Sequence, residues 1–353
     1  MKILRLTTLL DFGGQEKQYL SFTEQPELLK HQYIFAAIGF GGNAEETLRQ
    51  RGFEVHIMNQ PFAIKNISNI WKVYQLIKKV KPDIVHTAAA EANFHGIIAA
   101  KLAGVKTIIG EEIGIPNHSA IAQKVFGLVY RVADKIICVS QSVKNRLVKT
   151  GEISSRKGKV IYNPVSVPKK HEIERSEKFN ILYVGRLEKV KNVESLVRAL
   201  SKLKNGDLQL TIVGDGRERQ NLETLVTELK LSKKVIFEGF QSDPGTYLST
   251  ADLYVLPSYS EGFGIAAVEA MFLKVPVLAT NVGGVPEFVT HGENGWLFDP
   301  NSIEDLVEKL ENIFSLNVYE REAIGAKGFR DVSNRFTVDK YVENLENLYS
   351  MKP

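Results

Sequence analysis

Short apolar runs alternate along this chain with longer segments whose apolar residues recur at i, i+3, i+4 and i+7. Ile3–Thr8, Tyr33–Ile38, Glu54–Ile57, Ile84–Thr87, Thr107–Gly110 and Lys135–Ser140 predict strands, and Ala44–Arg51, Ile67–Val80 and Phe94–Ala103 predict helices between them. The runs are near-continuously apolar, as in strands covered on both faces, so the alternation predicts a parallel sheet with helices on both sides.

The pattern pauses at Asn163–Lys178, where two prolines and a run of charges predict an interdomain linker. It then restarts. Phe179–Val184, Leu208–Val213, Val235–Glu238, Leu253–Leu256 and Val275–Ala279 predict strands; Val193–Leu203, Glu218–Leu229, Ala266–Phe272 and Ser302–Phe314 predict helices. A last helix, Asp339–Tyr349, is placed to pack back on the first half. The domains expected are 1–165, 179–330 and a C-terminal helical segment, 331–353. Two domains also follow from the length, since 353 residues exceed what one hydrophobic core usually serves.

Composition changes this picture little. Hydrophobic residues make up 44% and charged residues 24%, and the formal net charge of +4 is too small to argue for nucleic-acid binding, which usually shows a concentrated basic stripe. The single cysteine, Cys138, lies in an apolar run and reads as a buried thiol. Arg5 interrupts the N-terminal apolar run, which therefore reads as a first strand rather than a signal peptide. No stretch approaches 18 uncharged apolar residues. The expectation is a cytoplasmic protein, free or peripheral on the inner face of the membrane.

Ligands of doubly wound sheets bind at the loops after the strands, so the candidate chemistry lies there. After the first strand comes Phe12-Gly13-Gly14-Gln15-Glu16. Its glycines let backbone N–H groups approach an anion at a helix start, although a tight turn without a ligand explains them equally. The spacing is not that of the dinucleotide fingerprint. At the start of the second half, Gly185 ends a strand, and Arg186 and Lys191 follow. A guanidinium fork and an ammonium suit a diphosphate; two solvated cations are the plainer alternative. The richest segment is Ser258–Ala270, with Glu261 before a helix and Glu269 within it, and Gly262 and Gly264 between. Carboxylates so far apart accept hydrogen bonds from separate sets of hydroxyls, which fits a ligand with hydroxyls at both ends and negative charge between them. A capping carboxylate with a surface glutamate is the alternative.

Gly13-Gly14, Gly185-Arg186 with Lys191, Val213-Gly214-Asp215-Gly216, Phe237-Glu238-Gly239, Glu261 with Glu269, Gly283-Gly284-Val285-Pro286-Glu287 and Gly292-Glu293-Asn294-Gly295 occur in this order. Together they resemble the retaining GT-B glycosyltransferases of family 4, over nearly the whole chain and most densely from Phe179 to Pro300. The resemblance implies two Rossmann-like domains facing across a cleft, an N-terminal one for the acceptor and a C-terminal one for a nucleotide sugar, UDP-linked by default. It implies that Arg186 and Lys191 bind the diphosphate, Glu261 the donor sugar and Glu269 the ribose. The backbone at Phe263, Gly264 and Ile265 would meet sugar and phosphate, and that at Gly239 and Phe240 the base. Gly13, Gly14 and Gly185 complete the donor set. No metal or other cofactor is implied, and the chain has no Asp-x-Asp.

One departure stands out. Where the family often places a histidine, after Thr107–Gly110, this chain reads Glu111-Glu112, with His118 further on and His86 after the preceding strand. The acceptor candidates are accordingly His86, Glu91, Asn93, Glu111 and Glu112, and the acceptor expected is a saccharide or lipid-linked saccharide of surface polysaccharide synthesis. Residues 61–81 hold five lysines and no acid, with Ile67, Ile70, Trp71, Tyr74 and Ile77 on one helical face. That face suits either an anionic membrane or ordinary packing on the sheet. A same-fold nucleotide-sugar epimerase and a non-catalytic nucleotide-sugar-binding protein remain as alternatives.

Overall fold

A computed structural model describes residues 1–11, 13–172, 178–203 and 207–350. The chain divides into two units: Met1–Pro164 together with the segment from Val338 onward, and Val165–Thr337. The first unit runs β1 (Lys2–Thr7), α1 (Gly14–Phe22), β2 (Gln32–Ala37), α2 (Asn43–Gln50), β3 (Glu54–Ile57), α3 (Ser68–Val80), β4 (Ile84–Ala88), α4 (Ala90–Ala103), β5 (Thr107–Glu112), α5 (Ala120–Val132), β6 (Lys135–Cys138), α6 (Gln141–Lys149) and β7 (Gly158–Val160). The second runs β8 (Phe179–Val184), α7 (Val193–Lys202), β9 (Leu208–Val213), α8 (Arg219–Glu228), β10 (Val235–Gly239), α9 (Gly245–Thr250), β11 (Leu253–Leu256), α10 (Ile265–Phe272), β12 (Val277–Thr280), β13 (Trp296–Phe298), α11 (Ile303–Ser315) and α12 (Val318–Val332). A final helix, α13 (Val338–Tyr349), belongs to the first unit.

The two sheets share one winding. The first has the order β3-β2-β1-β4-β5-β6-β7 and the second β10-β9-β8-β11-β12-β13, with parallel pairing throughout. Strand order reverses between β1 and β4 in one and between β8 and β11 in the other. At such a reversal the neighbouring crossovers leave on opposite faces, and the strand ends open a crevice. Central strands are apolar on both faces because both are covered: Ile3, Leu4 and Leu6 of β1 are buried, as are Ile181, Leu182 and Tyr183 of β8.

Helix α13 closes the first core. Val338, Tyr341, Val342, Leu345, Leu348 and Tyr349 join Tyr19, Phe22, Tyr33 and Phe35 in one buried cluster, with the Phe22 and Tyr341 rings 5.8 Å apart. The chain leaves the second unit later than expected: α12 extends through Val332, and the return begins at Val338, so 331–337 belong to the second unit. Residues 173–177 of the expected linker lie outside the described residues. Its earlier part is pinned to the second unit, by Val165 N–H to the Phe336 carbonyl (2.8 Å) and His171 N–H to Ser249 Oγ (2.9 Å).

Three elements lack a readable signal. β7 and β13 are three residues each, too short for a period to show. α12 carries few apolar residues; it docks through Gly325, where an added Cβ would lie 2.0 Å from the Lys274 carbonyl oxygen. β12 begins at Val277, past Pro276, which has no N–H for the ladder.

Candidate functional site

In the second unit the chemistry-bearing residues gather at the β8/β11 reversal. The turn after β8 carries Gly185, an exposed Arg186 and the half-buried Lys191. The loop after β11 carries Ser258 and Glu261 and opens α10. A backbone bond from Tyr259 N–H to the Val190 carbonyl (2.9 Å) stitches the two loops together. Across that seam Lys191 Nζ donates to Glu261 Oε2 at 2.7 Å, and Ser258 Oγ donates to the same oxygen at 3.3 Å. The pair is partly exposed, with 21% and 13% of the two side chains open to solvent, so both ends can exchange this bond for a ligand.

Two buried phenols lie beneath. Tyr183 Oη donates to the Arg186 carbonyl (2.9 Å), and Tyr254 Oη to the Val184 carbonyl (3.2 Å). Burial raises the Tyr183 phenol, the Glu261 charge raises it further, and Arg186 opposes. Burial also holds Tyr254 well above the ordinary range, reinforced by Tyr183, Glu261 and Glu269. Both carboxylates therefore act on one phenol, and Arg186 and Glu261 on the other. Lys191 and Glu261 are thus bonded to each other, and Arg186 and Glu269 each act on a phenol that Glu261 also acts on.

The loop around Glu261 is set by close backbone contacts. Gly283 has φ 57°, and an added Cβ would lie 1.7 Å from the Glu261 carbonyl oxygen; Gly284 N–H donates to that oxygen at 3.2 Å. No other residue fits there. Gly264, at φ 105°, turns the chain into α10, whose first N–H groups, starting near Ile265, have no acceptor within the helix. Phe263 is 2% exposed and packs on Phe288 and Phe336 at 5.6 and 5.0 Å, so its side chain is spent on the core. Glu269 sits inside α10 at 4% exposure. Gly239 ends β10, its carbonyl accepting from Gly214 N–H at 2.7 Å, and Phe240 follows with 48% of its surface exposed. Ser258, Tyr183, Tyr254 and the Gly283–Gly284 support carried no assigned role in the sequence. The double glycine after β12 was the one visible signal of that support.

In the first unit, Gly13 caps α1 and Gly14 begins it, at the carboxyl end of β1; Phe12 lies outside the described residues. The acceptor candidates need correction. His86, Asn93 and Glu111 are all fully buried. Glu111 receives Arg5 Nη2 at 3.1 Å and Gln18 Nε2 at 2.6 Å, and His86 Nε2 lies 3.1 Å from its Oε2. His86 Nδ1 pairs with Tyr349 Oη at 2.7 Å. Burial, aided by Arg5, lowers the His86 pKa to about 4, so the ring is neutral near pH 7. Burial alone would raise Glu111, yet the bonds from His86 and Arg5 hold it below the usual carboxylate range. These residues fasten β1, β4, β5, α1 and α13 to each other; inside the core they meet no acceptor. Asn93 is spent likewise, accepting from Thr87 Oγ1 (2.7 Å) and donating to the Glu111 carbonyl (2.9 Å) and Glu112 Oε1 (3.0 Å).

Glu112 is 4% exposed and bonded to Tyr130 Oη as well; burial raises its pKa to about 7. Glu91, in the first turn of α4, stays half-exposed and accepts from Thr8 Oγ1 at 3.3 Å. His118 is partly open, its Nδ1 2.7 Å from Glu152 Oε2, and that bond raises its pKa. Among the acceptor-side residues considered, Glu91 and His118 are therefore the ones with a solvent-facing surface. The apolar face expected on α3 is split: Ile77 is in the core, while Ile67 and Trp71 are 67% and 60% exposed.

Comparison with known proteins places the whole chain in a family. The family described as Glycosyltransferase Family 4 matches residues 12–168, and that described as Glycosyl transferases group 1 matches residues 167–331. An uncharacterised glycosyltransferase of Methanocaldococcus jannaschii is 30% identical over 81% of this chain and 80% of its own length. The UDP-Gal:alpha-D-GlcNAc-diphosphoundecaprenol alpha-1,3-galactosyltransferase of Escherichia coli is 28% identical over 81% of this chain and 80% of its own. Among solved structures, Anabaena HepE in complex with UDP matches with a TM-score of 0.84 at 25% identity, over 99% of this chain and 100% of that one. With both halves matched in order and a 30% identical relative aligned over most of its length, the chain belongs to the group 1 glycosyltransferases of the GT-B fold.

Proposed function

We propose that this glycosyltransferase takes a sugar from a UDP-sugar, with retention of configuration and without a metal ion, and passes it to a saccharide or lipid-linked saccharide in surface polysaccharide synthesis. The observation that carries the reading is the Lys191–Glu261 pair beside Arg186 at the β8/β11 reversal, with the buried Glu269 behind it. A cation pair and a helix start suit a diphosphate, and the flanking carboxylates suit hydroxyls of the sugar and the ribose. The UDP held by HepE and the lipid-linked acceptor named for the Escherichia coli relative support the choice of donor and acceptor class.

In this mechanism the bond between the anomeric carbon and the phosphate oxygen breaks, and UDP leaves carrying the electron pair. Arg186, Lys191 and the N–H groups at the start of α10 stabilise the negative charge as it grows. The acceptor hydroxyl bonds to the anomeric carbon on the face the diphosphate vacates, and its proton passes to the departing phosphate oxygen. No side-chain base is then needed, in keeping with the burial of His86 and Glu111. The first unit takes the acceptor, and the solvent-facing surfaces of Glu91 and His118 favour them as the residues that meet it. The outward Ile67 and Trp71 on α3, beside Lys72, Lys78 and Lys79, suit contact with an anionic membrane.

The test is transfer from UDP-sugars by folded variants. Arg186→Ala and Glu261→Ala each lower turnover by about 10²–10³-fold, as removal of an electrostatic donor or a positioning contact does. Near-normal turnover in a well-folded Glu261→Ala protein overturns the assignment.

A further inference from the structure

Helix α5 has an outer face unlike that of a helix lying in water. After Ala120 at its start, its exposed residues are Ile121, Lys124, Val125, Leu128, Arg131 and Val132, spaced i, i+3, i+4, i+7, i+10 and i+11. Ile121 is 78% exposed and Leu128 61%. The opposite side packs inward through Phe126, Val129 and Tyr130, so α5 is apolar on both sides, and the outer stripe is not needed to hold the helix down. It contains no acidic residue, and on the outer face only two cations interrupt the apolar positions. The helix packed beside it, α4, adds an exposed Lys101 and a Leu102 that is 66% exposed. A continuous exposed apolar stripe free of acidic residues is the kind of surface that marks a docking site.

From this stripe we infer that α5 is a membrane-docking element that lies in the interface of an anionic bilayer, its four aliphatic side chains among the acyl chains and Lys124 and Arg131 at the headgroups. Charge selects this occupant. An isologous pairing with a second copy would face two cations with two more and no acid between them. Anionic headgroups neutralise both while the apolar stripe leaves water, the arrangement of interfacial helices. Helix α3, with its lysines, packs on the other side of α4, so the three helices form one layer whose outer side is cationic and apolar. The biological sense of this surface rests on the lipid-linked acceptor proposed above; the surface itself does not.

The experiment is vesicle flotation of the full chain, with phosphatidylcholine alone and with an equal part of phosphatidylglycerol. The protein is expected to float with the anionic vesicles and not with the neutral ones, and less so as salt rises. Ile121→Asp with Leu128→Asp is expected to cut the bound fraction about tenfold or more. Both positions are exposed, and UDP binding and the melting temperature serve as controls for folding. Equal flotation of this variant and the parent overturns the proposal, as does a parent indifferent to anionic lipid. So does loss of flotation in Trp71→Ala but not in the α5 variant, or a dimer that the α5 variant splits without any vesicle binding. Failure of the parent to bind UDP would instead sink the donor assignment and leave the flotation result standing.

Discussion

At the scale of single residues, the Lys191–Glu261 bond means that the free site neutralises itself. On the proposed reading a nucleoside diphosphate would compete with Glu261 for Lys191, whereas a full sugar donor would give Glu261 hydroxyls to hold in exchange. Glu261→Gln should therefore tighten binding of UDP by about three- to tenfold, the worth of one partly exposed ion pair, while weakening binding of the UDP-sugar. Calorimetric titration of both ligands checks this; parallel changes for the two would contradict it. Glu112 gives a prediction of another kind. Burial lifts its folded pKa to about 7 from an ordinary value near 4.5. A raised pKa favours the protonated folded state, so the contribution is complete below about pH 4.5 and is lost as pH rises through about 7. The loss is on the order of 3 kcal/mol. Glu112→Gln cannot ionise and should melt with a flatter pH dependence, gaining on the parent between pH 5 and 8. A constant difference in melting temperature across that range would count against the buried-acid account.

At the scale of elements, α13 decides whether the first unit has a complete core. Its six buried apolar residues are worth roughly 1.5–3 kcal/mol each, so together they match or exceed a typical domain's whole stability of about 5–15 kcal/mol. A chain ending at Thr337 should leave the first unit unfolded and prone to aggregation, while the second unit keeps its melting transition; two intact transitions in calorimetry would contradict this. The period of apolar residues made most of these elements readable, down to the ends of β8, β9 and β11, because covered parallel strands are predominantly apolar. It also placed the return of the last helix, whose pattern Val338, Tyr341, Val342, Leu345 is a helical stripe with no partner of its own. What stayed hidden depends on contacts made far along the chain. Nothing local tells that Arg5 in β1 pairs with Glu111, 106 positions away, or that His86 and Glu111 turn inward to each other. A polar residue near the carboxyl end of a strand, as His86 in β4 and Glu111 in β5, looks the same in sequence whether it faces a ligand or a returning helix. In the second unit the same kind of residues could be read correctly as neighbours, since Arg186, Lys191 and Glu261 lie on glycine-rich turns at two adjacent strand ends. There the local signal and the topology agree.

At the scale of the whole molecule, the same winding occurs twice with different uses of the switch point. In the first unit the residues of β1, β4 and β5 near the reversal are spent on a buried network that ties in α13; in the second they stay at the surface as a cation, a carboxylate and an open helix start. On the proposed reading the chemistry is concentrated in the second unit, with Arg186 and Lys191 supplying the positive charge that a divalent ion gives in metal-dependent diphosphate chemistry. Transfer should accordingly be unchanged by EDTA; a rate restored by magnesium after chelation would refute the metal-free reading. The central claim is that one diphosphate is held by Arg186 and Lys191 at the β8/β11 reversal. Titrating UDP into the parent protein and into Arg186→Ala and Lys191→Ala tests it most directly. The account predicts one site in the parent and at least about tenfold weaker binding in each variant, the loss of a charge-assisted bond to phosphate, at unchanged melting temperature. Undiminished UDP affinity in both folded variants would contradict it.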